Sequence, residues 1–118
     1  MDSRRQQKVA SLIQEAFGEI LARMGKGIYG KAFVTITNVK VTPDLSEVRF
    51  YLSVFNAEDK AGVIEQIKGH EFELKRELSA KLRHHLRKIP VLEFFLDDSL
   101  DQAYHMEEVF KRIKKENE

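Results

Sequence analysis

The 118 residues amount to one domain of ordinary size, and an apolar content of 42% furnishes a single core rather than two. With no cysteine, a disulfide scaffold, a thiol nucleophile and a thiolate metal site are all excluded, and no apolar run approaches the roughly 18 residues of a membrane span. Lys+Arg (20) and Asp+Glu (19) nearly cancel, so the net charge of +1 says little about partners and the placement of charge says more.

Met1 to Arg5 does not lead into an apolar signal segment, so the expectation is a soluble, cytoplasmic protein. The first long element spans about Ser3 to Met24. Val9, Ile13, Phe17, Ile20, Leu21 and Met24 recur every three or four residues, one buried helical stripe. Asp2 or Ser3 can cap it, and Arg4, Arg5 and Lys8 sit in its first turns, where cations oppose the helix dipole unless an anion is held there. Gly25, Gly27 and Gly30 are expected to end the helix and open a loop. Ala32–Val41 and Ser46–Phe55 then read as a long antiparallel hairpin about a Thr42-Pro-Asp-Leu45 turn, with Val48, Phe50, Leu52 and Val54 on one face. Asn56 is the expected cap of a short helix that buries Val63, Ile64 and Ile67 and ends or kinks at Gly69. A further helix is expected from His70 to about Arg87, on Leu74, Leu78, Leu82 and Leu86, until Pro90 forces extended geometry. Val91–Leu96 is a compact strand broken by Asp97-Asp98. Ser99-Leu-Asp-Gln102 has the pattern of a capping box, and Ala103, Met106, Val109, Phe110 and Ile113 form the apolar stripe of a last helix with a charged tail from Lys111 to Glu118. The order α-β-β-α-α-β-α gives an α+β sandwich in which the third strand, arriving after a helical crossover, joins the sheet parallel to a hairpin strand.

The charge map carries the most information. Lys75, Arg76, Lys81, Arg83, Arg87 and Lys88 face a single acid, Glu77, between residues 75 and 90, a segment of +5, whereas residues 91–109 hold six acids and neither Lys nor Arg. A basic helix ending at His84 and His85 is the footprint expected for phosphate contacts. The same pattern also suits a solvated face whose cations neutralise the acidic block, and the residues alone leave both readings open.

Chemistry of other kinds finds little support. Gly25-Lys-Gly-Ile-Tyr-Gly30-Lys31 spells most of a phosphate-binding loop, but Ala32 stands where a hydroxyl must hold magnesium, and the order is helix, loop, strand rather than strand, loop, helix. On a helix His84 and His85 would point about 100° apart and could not share a metal. Asp97, Asp98 and Asp101 lack the glycine and terminal glutamate of a calcium loop. No carboxylate has a partner at catalytic spacing. No enzyme activity, metal or cofactor is expected.

The hairpin Phe33-Val-Thr-Ile-Thr-Asn-Val-Lys-Val-Thr-Pro-Asp-Leu-Ser46, continuing Val48-Arg-Phe-Tyr-Leu-Ser-Val-Phe55, closely resembles that of the ribosome-binding factor A family. So do Leu86-Arg-Lys-Ile-Pro90-Val-Leu-Glu-Phe-Phe-Leu-Asp-Asp-Ser-Leu100 and the opening Arg5-Gln-Gln-Lys-Val-Ala10. The resemblance implies a KH-like fold of the second type, with an α-β-β-α-α-β core, a three-stranded mixed sheet and an additional C-terminal helix. On this reading residues 1–98 form the ribosome-binding domain, and residues 99–118 are a helix and charged tail of the same domain. It further implies a bacterial cytoplasmic protein, without enzymatic activity, that binds the free small (30S) ribosomal subunit. There it would assist late maturation, including processing of the 16S rRNA precursor near its 5′-terminal helix, above all in cold growth. Under that reading Lys75, Arg76, Lys81, Arg83, Arg87 and Lys88, with Arg4, Arg5 and Lys8, contact the rRNA backbone of a monomeric factor that takes no small-molecule substrate and touches no membrane. The alternative is a protein–protein adaptor on the ribosome that makes no direct RNA contact. The chain departs from the family at the Ala-x-Gly kink between its second and third helices, which falls near His70-Glu-Phe72 with Gly69 before it, and it carries two extra residues around His84-His85.

Overall fold

The computed structural model describes residues 3–98, in the order α1 (Arg4–Tyr29), β1 (Phe33–Val41), β2 (Glu47–Phe55), α2 (Lys60–Gly69), α3 (Glu71–Leu82) and β3 (Val91–Leu96). The expected last helix and tail, residues 99–118, lie outside the described residues. No helix among the described residues is long and apolar enough to cross a membrane.

Helix α1 starts where its polar residues satisfy the exposed backbone donors. Ser3 Oγ accepts from the Gln6 N–H at 3.1 Å, and Gln6 Oε1 accepts from the Ser3 N–H at 2.8 Å, a reciprocal capping box. The same Gln6 is buried and donates from Nε2 to the Val41 carbonyl at 2.8 Å, fastening the start of α1 to the end of β1. The helix runs past the expected end at Met24. Gly25 and Gly27 cost about 1 kcal/mol each in a helix interior, yet Ile28 continues the buried stripe and keeps that turn helical. Gly25 also leaves room for the Tyr29 ring, which a β-carbon there would strike. The chain leaves the helix at Gly30, whose φ of 71° suits glycine alone without strain.

The sheet has the order β1-β2-β3, with β1 antiparallel and β3 parallel to β2, the mixed arrangement expected from a hairpin and a helical crossover. Val48, Phe50, Leu52 and Val54 are all buried on the face that the helices cover. In β1 the register passes from Ile36↔Leu52 to Asn38↔Tyr51, a bulge at Thr37. That extra residue resets the two-residue alternation, so Val34 and Ile36 share a face with Val39 and Val41. Phe17, Phe50 and Phe94 meet at the centre of the core, with ring centroids 4.3, 5.4 and 5.8 Å apart.

Two further boundaries differ from the sequence reading. The cap of α2 is Asp59, which accepts from the Gly62 N–H at 2.9 Å, rather than Asn56. Asn56 instead takes a positive φ of 57° and donates to the Lys31 carbonyl, ending β2. Helix α3 stops at Leu82 rather than Arg87, and the N–H groups of His85 and Leu86 both turn back to the Leu82 carbonyl. A leucine every four residues drifts about 40° per step on a helix of 3.6 residues per turn, so Leu86 would lie about 120° away from Leu74 and off the core face. The chain turns instead, and Ile89 and Pro90 are buried ahead of β3.

Candidate nucleic-acid interface

Three segments distant in sequence meet at one end of the molecule. The Gln6–Val41 bond holds the start of α1 against the hairpin, and the Val91 N–H donates to the Ser46 carbonyl at 2.9 Å, which draws the α3–β3 loop to the hairpin turn. Between them lies a cleft of about 690 Å³. Arg5 from α1, Lys75 from α3, and Arg87 and Lys88 from the loop line it together with His85. None of these four cations forms a salt bridge among the described residues. Among the described residues Asp44 is the one carboxylate in the lining. Hydrogen bonds from the Ser46 hydroxyl, the Thr42 hydroxyl and the Ser46 N–H commit it to the turn and hold its pKa below the ordinary carboxylate value.

The floor of the cleft is apolar, built by Val9, Leu86, Ile89 and Pro90. Cations on a concave apolar support retain long reach and suit phosphate oxygens, which bind by charge and hydrogen bonding without reading sequence. A shallow groove beside the cleft is lined by Arg4, Arg5 and Lys8, with Arg5 common to both. These cations stand on the first turns of α1, whose first turn contains no acid.

The remaining candidates point elsewhere. Lys81 donates to Glu19 Oε2 at 2.9 Å across the α1–α3 contact, and Arg23 and Glu77 form a second bridge there. Arg76 is exposed on α3, while Arg83 is exposed at its end with Nε 3.4 Å from His84 Nε2. The basic segment is therefore no single helical face: α3 carries Lys75, Arg76 and Lys81 in different directions, and the loop carries Arg87 and Lys88. His84 and His85 stand in the turn after α3 rather than on a helix. Among the described residues no three His, Asp or Glu side chains gather as a metal site requires. Gly25 to Tyr29 belong to the C-terminal end of α1, the negative end of its dipole, which repels phosphate.

The sequence reading missed the part played by the hairpin turn, Asp44 to Ser46, and by Pro90 and Val91. A local signal existed only for the start of α1, where Ser3-x-x-Gln6 is a capping box. The Gln6–Val41 bond, spanning 35 residues, had none.

A family model described as ribosome-binding factor A matches residues 5–110. This chain belongs to the ribosome-binding factor A family. It is similar to the ribosome-binding factor A of Cytophaga hutchinsonii, with 41% identity over 121 residues that cover 100% of this chain and 91% of the relative. Its fold is similar to the crystal structure of ribosome-binding factor A from Thermus thermophilus, with a TM-score of 0.64 and 21% identity over 77% of this chain and 94% of that one. Similar too, with a TM-score of 0.63, is a homology model of the Thermus thermophilus ribosome-binding factor A fitted into a cryo-electron microscopy map of a 30S complex. It is 21% identical, and the match covers 77% of this chain and 93% of the other.

The joint between α2 and α3 is a single residue. Gly69 ends α2 and Glu71 starts α3, with His70 between them at φ −105° and ψ 17°, its Nδ1 2.8 Å from the Gln66 carbonyl oxygen. The bend is made by His70 rather than by Gly69, which has no positive φ and nothing within 4 Å of an added β-carbon. Gly69→Ala is therefore expected to stabilise the fold by about 0.5–1 kcal/mol, measured by urea denaturation. A destabilised variant would contradict the placement of the bend at His70.

Proposed function

We propose that the protein binds the free small ribosomal subunit through phosphate contacts of the cleft lined by Arg5, Lys75, Arg87 and Lys88. There it assists late maturation, including processing of the 16S rRNA precursor near its 5′-terminal helix, above all in the cold. It acts as a monomeric cytoplasmic factor without catalysis or cofactor. The observation that carries this reading is the convergence, from three separate segments on one concave surface, of four cations that form no salt bridge among the described residues. Family membership supports it, as does the fitting of the Thermus protein into a map of a 30S complex. Arg4 and Lys8 extend the positive surface beside the cleft, whereas Arg76 and Arg83 are exposed outside it and Lys81 is held by Glu19. Residues 99–118 complete the same domain in this reading.

The cleft makes a prediction that a protein–protein adaptor would not share. Arg87→Gln combined with Lys88→Gln removes two phosphate partners and is expected to weaken binding to free small subunits about tenfold or more, since one charge-assisted hydrogen bond contributes a net of about 1.5–3 kcal/mol. Lys81→Gln, equal in charge change per residue but outside the cleft, is expected to change it less than twofold. Filter binding of the labelled protein to purified subunits distinguishes the two. Equal effects from both variants would remove the cleft from the account and leave only general charge.

A further inference from the structure

A second concave surface lies on the opposite side of α1, where the helix passes the free edge of the sheet. β1 pairs with β2 on one side and with no other strand among the described residues. Such edges are ordinarily blunted by bulges, charges or proline. The later half of β1 follows that rule, with the bulge at Thr37 and the exposed Lys40. The earlier half, Phe33-Val-Thr-Ile36, has neither charge, proline nor bulge. Alongside it runs a groove of about 620 Å³ whose apolar wall includes Leu21, Ala22, Tyr29, Val34 and Ile36. Val34 and Ile36 point to the core face yet stay half-buried, while Val39 and Val41 on the same strand are buried, so α1 leaves this end of the strand uncovered. Burial against the groove raises the pKa of the Tyr29 hydroxyl, consistent with its apolar lining.

We propose that this groove takes an extended acidic peptide segment of a partner protein, which adds to β1 as a fourth strand. Two features select that occupant. Among the described residues, Lys26 and Lys31 are the only charged residues in the lining, no carboxylate lines it, and neither lysine forms a salt bridge. An edge strand also presents alternating N–H donors and carbonyl acceptors, which another peptide backbone satisfies in register and a ribose-phosphate backbone does not. Alternate side chains of the added strand face the apolar wall, and carboxylates at one end reach the two lysines. This surface is separate from the cationic cleft, and the proposal does not depend on RNA being held there.

The test is selection of a displayed random octapeptide library on the full-length protein, followed by titration of individual synthetic peptides into the ¹⁵N-labelled protein. Enriched peptides are expected to alternate β-branched residues with carboxylates and to slow amide exchange within Phe33–Ile36. Affinity should fall at least tenfold on Ala22→Phe, which fills the groove from an exposed position, and on the double variant Lys26→Gln/Lys31→Gln. Failure to enrich such peptides, or binding indifferent to both variants, overturns the proposal. So does an octauridylate probe that protects Phe33–Ile36 where the peptides do not, since the groove would then belong to nucleic acid.

Discussion

Affinity for the free small ribosomal subunit is expected to fall about a hundredfold as monovalent salt rises from 50 to 200 mM. Each phosphate neutralised by a cation releases counterions and adds about 0.7–0.9 to the slope of log affinity against log salt. The four cleft cations Arg5, Lys75, Arg87 and Lys88 together give a slope of about −3 to −4. Arg4, Lys8, Arg76 and Arg83, outside the cleft, steepen it only if they also reach phosphates. Changing all four cleft residues to glutamine should flatten the dependence and abolish most binding at physiological salt. An affinity that varies by less than about threefold over that range would mean that fewer than one phosphate is contacted, and the interaction would then rest on protein surfaces.

Phe50→Ala carries the largest expected effect on stability. The side chain is fully buried between Phe17 and Phe94, and the ring contacts join α1, β2 and β3. Truncating a buried phenylalanine costs about 3–5 kcal/mol in lost transfer free energy and residual cavity, against a total stability of about 5–15 kcal/mol for a domain of this kind. Urea denaturation followed by circular dichroism should show a large drop in midpoint or a protein unfolded without denaturant. Phe72→Ala is the control. At 78% exposed, Phe72 leaves no cavity when truncated, and its removal should change stability by less than about 0.5 kcal/mol. A mild effect at Phe50 would contradict its place at the centre of the core.

What was legible in the chain follows from the range of the interactions that decide it. The stripe from Val9 to Leu21 and the alternation from Val48 to Val54 are periodic, so they gave the helix and the central strand directly, along with the face each buries. The parallel placement of β3 followed from the crossover before it. Helix ends were less legible because they are settled by tertiary contacts: Ile28 prolongs α1 through two glycines, and the drift of Leu86 off the core face ends α3. The bulge at Thr37 has no sequence mark apart from the broken alternation between Ile36 and Val39. At the candidate interface, Arg5, Lys75, Arg87 and Lys88 could be picked out by charge, but their convergence could not, since it rests on the Gln6–Val41 and Val91–Ser46 hydrogen bonds. Nor could charge counting reveal that Glu19, far away in sequence, claims Lys81.

Co-sedimentation of the purified protein with free small subunits, free large subunits and joined ribosomes tests the central claim most directly. The expected result is retention on free small subunits alone, lost on raising the salt and lost in the Arg5, Lys75, Arg87 and Lys88 glutamine variant. Retention by that variant equal to wild type, or equal retention of the wild-type protein on all three particles, would contradict it.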